Sequence, residues 1–287
     1  MTTVLSGLSS GIKFILEGAA PYFRAQYGNK IKVLEAISDD IAWLPSLHFK
    51  IDKFTIVAVE GSEDTPYPEI LRLRHADILN AGFPITVYSI CPEDVFLKKE
   101  SQPIIREMRE HGIGIYSIDS STTVHLRERA IPLVQHISHL DFNGEVSGIT
   151  GRLKFEIVEA FENYKLKAQS GVKEITEISE ALIKLAAKNT TIVSWIGNHK
   201  NDSCAVILDY MFLVNQLSSA RAAIGGMRNY ISNYRNTAHH PPRSKRQAFL
   251  KFKDCRHAFL DGLKCIRNFK EALRNLGIKL IYRSDKI

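Results

Sequence analysis

The stretch Phe54-Thr-Ile-Val-Ala-Val-Glu60 is β-branched and almost continuously apolar, which is typical of a strand buried on both faces of a sheet. Apolar residues then recur at helical spacing over 68–81, and Pro84-Ile-Thr-Val-Tyr-Ser-Ile90 repeats the strand pattern. A further helix is predicted over 93–111 and a third strand over 113–118. Because strands and helices alternate, the sequence predicts an α/β domain with a mixed or partly parallel sheet.

The residues after 152 lack this strand pattern. Amphipathic helices are predicted over 153–168, 172–188, 204–239 and 245–276. The third of these is the longest, and it should end at Pro241 and Pro242, because proline cannot donate to a helix and restricts the residue before it. The second half of the chain is therefore expected to form an all-α bundle.

The charge of the chain changes at a glycine-rich segment, 141–152, which we interpret as a linker. Residues 1–150 carry 14 Lys and Arg against 19 Asp and Glu, whereas residues 151–287 carry 24 against 12. A strongly basic half is a candidate binder of a polyanion. The expected domains are an acidic α/β domain at 1–148 and a basic helical domain at 149–287.

The composition excludes several classes of protein. Hydrophobic residues make up 45% of the chain and charged residues 24%, which is typical of globular proteins and not of disordered ones. No uncharged apolar run reaches about 18 residues, so no membrane span is expected. The four cysteines form no CxxC pair, and residues 1–11 lack the pattern of a secretory signal. We therefore expect a cytoplasmic protein with reduced thiols and no zinc site.

The segment Arg235-Asn236-Thr-Ala-His239-His240 lies where the longest predicted helix ends, and its residue types suit chemistry on a phosphodiester. A guanidinium binds two phosphate oxygens and stabilises the negative charge that develops in the transition state. A histidine titrates near neutral pH, so it can take the proton from a ribose 2′-hydroxyl or protonate the leaving oxygen. Such a reaction needs no metal ion, and its first product would be a 2′,3′-cyclic phosphate.

This segment resembles the Arg-x(4–6)-His motif of HEPN domains, many of which have Asn directly after the Arg. HEPN domains are helical bundles of this size, with the motif at the end of a long helix near the C-terminus, and the resemblance covers about residues 150–287. It implies a metal-independent endoribonuclease that uses no cofactor and acts as a toxin or anti-phage defence effector. It also implies a homodimer, in which the Arg and His of two copies form one composite site.

The resemblance also implies a role for each residue of the motif. Arg235 would bind the phosphate, and Asn236 would orient the loop or the substrate. His240 would be the general acid or base, although His239 also falls near the motif, so which histidine acts stays open.

Basic residues around the motif are candidates for contact with the RNA backbone. Arg221, Arg228 and Arg235 are seven residues apart, which in one helix places them along nearly one face over about 20 Å. For the dense basic tract at 242–256, an ordinary solvated helix face is the alternative interpretation. The candidate RNA-binding residues are Arg221, Arg228, Arg243, Lys245 and Arg246.

The α/β half contains a pattern similar to that of PD-(D/E)xK nucleases, in which two carboxylates hold Mg²⁺. Asp52 precedes the predicted strand and Glu60 ends it, but Ser62 stands where that family has its lysine. The half is also similar to the CARF domains of CARF–HEPN proteins, which bind a regulatory ligand, and ligands of open α/β sheets bind at the carboxyl ends of strands. We therefore expect a domain that senses a ligand or recruits a partner protein.

Two other functions stay open from the sequence. The helical half could be a non-catalytic module that dimerises and binds nucleic acid while the α/β half recruits a partner or a ligand. Alternatively, the α/β half could be a Mg²⁺-dependent nuclease that acts through Asp52 and Glu60. The first alternative predicts that activity survives the loss of Arg235, and the second predicts that a chelator abolishes it.

Overall fold

The computed structural model describes residues 7–28, 30–39, 41–80, 84–235 and 242–282. The chain divides into two compact units, an α/β unit at 1–139 and a helical unit at 140–287, and each is described by itself. Among the described residues, no helix has the length and apolar character that crossing a membrane requires. The expected order, an α/β half followed by a helical half, is confirmed.

The α/β unit consists of a sheet and the helices that pack on it. Its helices are α1 (Ser10–Tyr27), α2 (Glu69–Asn80), α3 (Glu93–Leu97) and α4 (Ser101–Glu110). Its strands are β1 (Lys32–Val33), β2 (Leu47–Lys50), β3 (Ile56–Gly61), β4 (Ile85–Pro92), β5 (Gly114–Ile118) and β6 (Val124–Glu128). A short 3₁₀ turn follows at Leu133–Gln135.

The strands lie in the sheet in the order in which they occur in the chain, β1-β2-β3-β4-β5-β6. The central strands β3, β4 and β5 run parallel, and the register pairs Ile56 with Ile85 and Tyr88 with Gly114. The outer pairs β1–β2, β2–β3 and β5–β6 are antiparallel. The sheet is therefore mixed, as the sequence predicts, and helices connect its parallel strands.

Both faces of this sheet are covered by helices, because successive side chains of a strand point to opposite faces. On one face, Val57 and Val59 of β3 belong to a core cluster with Phe23 of α1. On the other face, Ala58 belongs to a cluster that includes Leu71 of α2 and residues of α4. Burial on both faces explains the continuous apolar run in residues 54–60.

The helical unit begins in a short helix, α5 (His139–Glu145), and ends in a long one, α11 (Lys245–Asn275). Between them lie α6 (Gly151–Leu166), α7 (Ala168–Ala187), α8 (Thr190–Ile196), α9 (Cys204–Leu213) and α10 (Arg221–Tyr230). Short 3₁₀ segments occupy Gly197–Asn201 and Asn215–Ala220, and a π-helical turn, Ile231–Arg235, continues α10.

Helix α11 packs closely on α7 and α10, and one glycine makes this approach possible. A Cβ atom at Gly262 would collide with the side chains of Ile175 in α7 and Tyr230 in α10. The Tyr230 phenol lies 3.3 Å from the Thr176 hydroxyl, and both residues are buried. Rings of α6 and α11 meet nearby, with the centroids of Tyr164 and Phe259 4.6 Å apart.

The predicted continuous helix 204–239 is wrong. Val214 is extended, with φ −67° and ψ 122°, so α9 ends and a 3₁₀ segment precedes α10. The Arg221 side chain stabilises this break, since its Nε donates to the Phe212 carbonyl at 3.1 Å. Because no proline or glycine lies between 204 and 224, the sequence contains no local signal for the break.

Two further segments differ from their predictions. The predicted helix 93–111 is two helices, because Lys98 is extended and the Ser101 hydroxyl donates to the Val95 carbonyl at 2.7 Å. The segment 141–152, predicted as a linker, instead contains most of α5 and the start of α6.

Candidate functional site

The arginine of the Arg-Asn-x-x-His-His segment, Arg235, lies in the π-helical turn Ile231–Arg235, which continues α10. Asn236, His239 and His240 lie outside the described residues, and so does Pro241. The chain is described again from residue 242, just before α11.

The π-helical turn that contains Arg235, and the residue before it, are anchored by two tyrosines. Tyr230 is buried and faces Thr176 of α7, and the Tyr234 hydroxyl donates to Asp261 Oδ2 of α11 at 3.4 Å. Burial raises the pKa of the Tyr230 phenol above its usual range, so this hydroxyl stays protonated. Tyr230 is therefore a core residue and not a platform for stacked bases.

The π-helical turn also changes the helical register before Arg235. Its hydrogen bonds run from residue i to i+5, whereas those of α10 run from i to i+4. The seven-residue spacing therefore keeps Arg221 and Arg228 on one face of α10 but does not extend that face to Arg235. Single π-helical turns of this kind occur often at functional sites.

Arg221 and Arg228, which the sequence predicts as RNA contacts, are engaged within the helical unit. Arg221 Nη2 lies 3.4 Å from Asn215 Oδ1, in addition to its bond to the Phe212 carbonyl. Arg228 forms an ion pair with Asp209 of α9, and both side chains are about half exposed. These contacts connect α9 with α10, so both arginines have a structural role.

Arg243, Lys245 and Arg246 are exposed at the start of α11, and in the described part of the chain none of them forms an ion pair. Ser244 caps this helix by accepting the Gln247 N–H at 3.1 Å, while Gln247 Oε1 accepts the Arg243 N–H at 2.6 Å. The N-terminus of a helix carries partial positive charge, which adds to that of the three side chains. This end of α11 is therefore an exposed surface of positive potential, separated from Arg235 by the undescribed residues 236–241.

The structure does not bring Asp52 and Glu60 together. Asp52 lies in the turn between β2 and β3, where its Oδ1 accepts the N–H groups of Phe54 and Thr55 at 2.6 and 2.7 Å. Glu60 lies near the other end of β3, so roughly 13 Å of strand separates the two, at about 3.3 Å per residue. The two carboxylates are not placed to share one Mg²⁺ ion.

Glu60 instead belongs to a hydrogen-bonded group with Trp43 and Ser46. Trp43 Nε1 donates to Glu60 Oε2 at 2.9 Å, and the Ser46 hydroxyl donates to Oε1 at 3.0 Å. Burial raises the pKa of Glu60, an effect that these two hydrogen bonds partly oppose. Trp43 and Ser46 were not predictable as partners of Glu60, because the pairing of β2 with β3 brings the segment before β2 to Glu60.

A second group that the sequence analysis missed lies at the carboxyl ends of β4 and β5. Ligand atoms of Glu93, Asp119 and His125 all lie within 4.8 Å of one another, which suits a metal ion in principle. However, Arg127 forms an ion pair with Glu93. The pKa of Asp119 is lowered to about 2, mainly by the hydrogen bond from the Ser121 side chain and, to a smaller extent, by that from the Thr123 backbone. The charge of Glu93 is thus already compensated by Arg127, and the oxygens of Asp119 already accept hydrogen bonds from protein groups.

The ends of β3, β4 and β5, where a regulatory ligand is expected, share one edge of the sheet because these strands are parallel. The side chains at this edge are mostly acidic, and Arg127 is held by Glu93 and by the Ser117 hydroxyl. The edge therefore offers no cluster of free cations, among the described residues, to an anionic ligand.

A comparison of the chain with models of protein families, with curated proteins and with solved structures finds no match. The geometry described above and the sequence motif are therefore the whole basis for a functional assignment.

Proposed function

We propose that the helical unit is a metal-independent endoribonuclease of the HEPN type. The observation that carries the proposal is the position of Arg235 in a helical turn that continues α10 within the helical unit, with Asn236 and the His239-His240 pair following it in the sequence. The resemblance to HEPN domains requires such a combination of a helical bundle and this motif.

In the proposed reaction, Arg235 binds the non-bridging oxygens of the scissile phosphate and stabilises the added negative charge. His240 or His239 accepts the proton of the ribose 2′-hydroxyl, whose oxygen then attacks the phosphorus. The bond from phosphorus to the 5′-oxygen breaks, and that oxygen takes up a proton. The products are a 2′,3′-cyclic phosphate and a 5′-hydroxyl end.

The basic start of α11, which follows the motif closely in the sequence, supports binding of an RNA backbone. Arg243, Lys245 and Arg246 are exposed, whereas Arg221 and Arg228 are engaged by α9 and the segment that follows it. We therefore assign the phosphate contacts to the first three residues and propose that the other two orient α10. The positive charge of Arg243, Lys245 and Arg246 also attracts RNA at long range.

The resemblance extends the proposal to assembly and regulation. Two copies of the chain form a homodimer and combine their motifs in one site, and the enzyme acts in the cytoplasm as a toxin or defence effector. The α/β unit restrains it until a ligand or a partner protein binds. An unrestrained ribonuclease would damage its own cell, and the two-unit organisation provides a place for control.

The direct test is cleavage of labelled single-stranded RNA by the purified protein in excess EDTA. The wild type should cleave and leave cyclic phosphate ends, and Arg235→Ala/His240→Ala should lose at least about a hundredfold in rate, since acid–base catalysis alone contributes that much. Arg152→Ala/His257→Ala is the matched control, because it removes the same residue types from exposed positions of the helical unit. Light scattering should show the same dimer for all three proteins.

Three outcomes would contradict the proposal. Cleavage that persists in the Arg235→Ala/His240→Ala variant would exclude this pair as the catalytic site. Cleavage that requires Mg²⁺ and disappears in Asp52→Ala would place the chemistry in the α/β unit, against the separation of Asp52 from Glu60. RNA binding without cleavage, in the presence of cell extract as a source of activator, would favour the non-catalytic module.

A further inference from the structure

A cavity of about 430 Å³ opens at the far end of the helical unit from the basic start of α11. Three segments line it: the loop Ser147–Thr150, the last turns of α11 from Arg267 to Arg274, and the segment Ile278–Ile281 that follows α11. A volume of this size is within the range of sites for small molecules. The cavity is therefore large enough for a mononucleotide.

The lining of this cavity is strongly basic. Arg267, Lys270, Arg274 and Lys279 line it, against a single carboxylate, that of Glu271. Arg274 has Glu271 as an exposed partner at 3.6 Å, while in the described part of the chain neither lysine forms an ion pair. Four cations, of which Arg267 and Arg274 have the carboxylate partners Glu145 and Glu271, leave this concave surface with a net positive charge, which favours an anion.

Arg267 is held in place by its surroundings, and Lys270 is partly buried. Arg267 Nη1 donates to the Gly144 carbonyl at 3.1 Å and lies 3.0 Å from a carboxylate oxygen of Glu145. Partial burial lowers the pKa of Lys270, and the nearby positive charge of Arg274 lowers it further. The desolvated ammonium of Lys270 therefore lacks a compensating negative charge, which a bound anion would supply.

The polar groups of the opposite wall also suit an anion. Helix α6 begins at this loop, and its N-cap residue Thr150 makes no side-chain capping bond, while its first turn has no acidic residue. The first N–H groups of α6 therefore lack the usual side-chain acceptor. The hydroxyls of Ser147 and Thr150 add further donors at the same wall.

The third segment gives the cavity an apolar side. Gly277 ends α11 with φ +76°, and the Ile278 N–H donates to the Leu273 carbonyl at 2.9 Å, so the chain turns back beside the helix. Ile278 is buried and Ile281 is 74% exposed at the cavity. An exposed apolar side chain next to a cluster of cations matches a ligand with a flat apolar part and a phosphate part.

We propose that this cavity binds a free nucleotide, with the phosphates among Lys270, Arg274 and Lys279 and the base against Ile281. The proposal rests on the cavity and its lining alone, so it stands or falls independently of the ribonuclease. Helix α11 connects the cavity with the exposed basic surface at its other end, about 33 Å away at 1.5 Å per residue from Lys245 to Arg267. A nucleotide here would act at a distance from the Arg235 segment.

The test is calorimetric titration of the full chain with ATP in EDTA. The wild type should bind ATP saturably, and Lys270→Met and Lys279→Met should each weaken binding about tenfold, the effect of losing one charge-assisted contact. Lys264→Met is the matched control, because it removes the same charge from an exposed position of α11 outside the cavity, and its affinity should stay within about twofold of the wild type.

Three results would overturn the proposal: no saturable binding of ATP at millimolar concentration, equal binding by both cavity variants and the wild type, or an equal loss in Lys264→Met. Binding of a single-stranded RNA that Lys270→Met weakens, without binding of ATP, would also overturn it and assign the cavity to the RNA surface. Lys279 is exposed, so Lys279→Met keeps the test valid if Lys270→Met fails to fold.

Discussion

The hydroxyl of Ser46 donates to Glu60 Oε1 at 3.0 Å and accepts the Gly61 N–H at the same distance. Ser46 lies directly before β2, the strand that pairs with the Glu60 strand β3. The indole N–H of Trp43 donates to the second carboxylate oxygen. Both oxygens of Glu60 thus have partners within the α/β unit. Glu60, which matches the nuclease pattern in the sequence, is therefore a structural residue near the carboxyl end of β3.

The α/β unit should become less stable as Glu60 ionises. Because burial raises the pKa of Glu60 in the folded state, the carboxyl is protonated in both states at low pH, and ionisation then favours the unfolded state as the pH rises. Stability should fall from the ordinary pKa of glutamate up to the raised pKa, and stay level above it. Glu60→Gln should lack this fall, which urea unfolding at about pH 4 and about pH 7 would measure.

Glu17→Gln is the control for that measurement, since Glu17 is an exposed carboxylate on α1. It should keep the pH dependence of the wild type. A Glu60→Gln variant whose stability depends on pH as steeply as the wild type would show that Glu60 ionises normally in the folded protein.

The salt dependence of RNA binding should separate the two groups of arginines and lysines. Each phosphate contact contributes about 0.7 to the slope of log K against log salt for single strands, so Arg243→Ala/Lys245→Ala/Arg246→Ala should reduce the slope by about two. Arg228→Ala should leave the slope unchanged, because this guanidinium is paired with Asp209. Fluorescence anisotropy with a labelled RNA, over a series of salt concentrations, measures both; equal slopes for the triple variant and the wild type would refute the assignment.

Gly262→Ala should destabilise the helical unit by about 1–3 kcal/mol, the usual range for an extra carbon in a packed core. The new Cβ would collide with Ile175 and Tyr230, and the latter is held near Thr176. Gly226→Ala is the matched control: its Cβ would meet only Cys265 Sγ at 4.0 Å, so it should stabilise α10 by up to about 1 kcal/mol. Urea unfolding followed by circular dichroism compares the two, and a neutral Gly262→Ala would contradict the close packing of α11.

The central strands were predictable because burial on both faces leaves an unbroken apolar pattern. The predicted strands at 54–60, 84–90 and 113–118 correspond to β3, β4 and β5 with shifts of up to two residues at their ends. The sequence analysis missed β2 and β6, which are short and carry charged residues. It also missed α1, whose sequence contains Pro21 and Gly18. Their structure depends on packing against the central strands, and local sequence pattern does not record that packing.

In the candidate site, the sequence predicts only the relations between residues that are close together in the chain. The sequence pattern predicts that Arg235 lies in a helix, whereas the π-helical turn and the pairing of Arg228 with Asp209 depend on contacts between helices. In the same way, the partners of Glu60 come from another strand and its preceding loop. The cavity at the end of α11 needs three segments that no spacing pattern connects.

The strand order of the α/β unit has a consequence for its synthesis on the ribosome. Each strand from β2 onward pairs with the strand translated immediately before it, so the sheet can grow from one edge to the other as the chain emerges. Among the described strands, none has to wait for a partner encoded much later, which shortens the time for which its edge is open to other nascent chains. The last described strand, β6, then pairs antiparallel with β5 and covers its free edge.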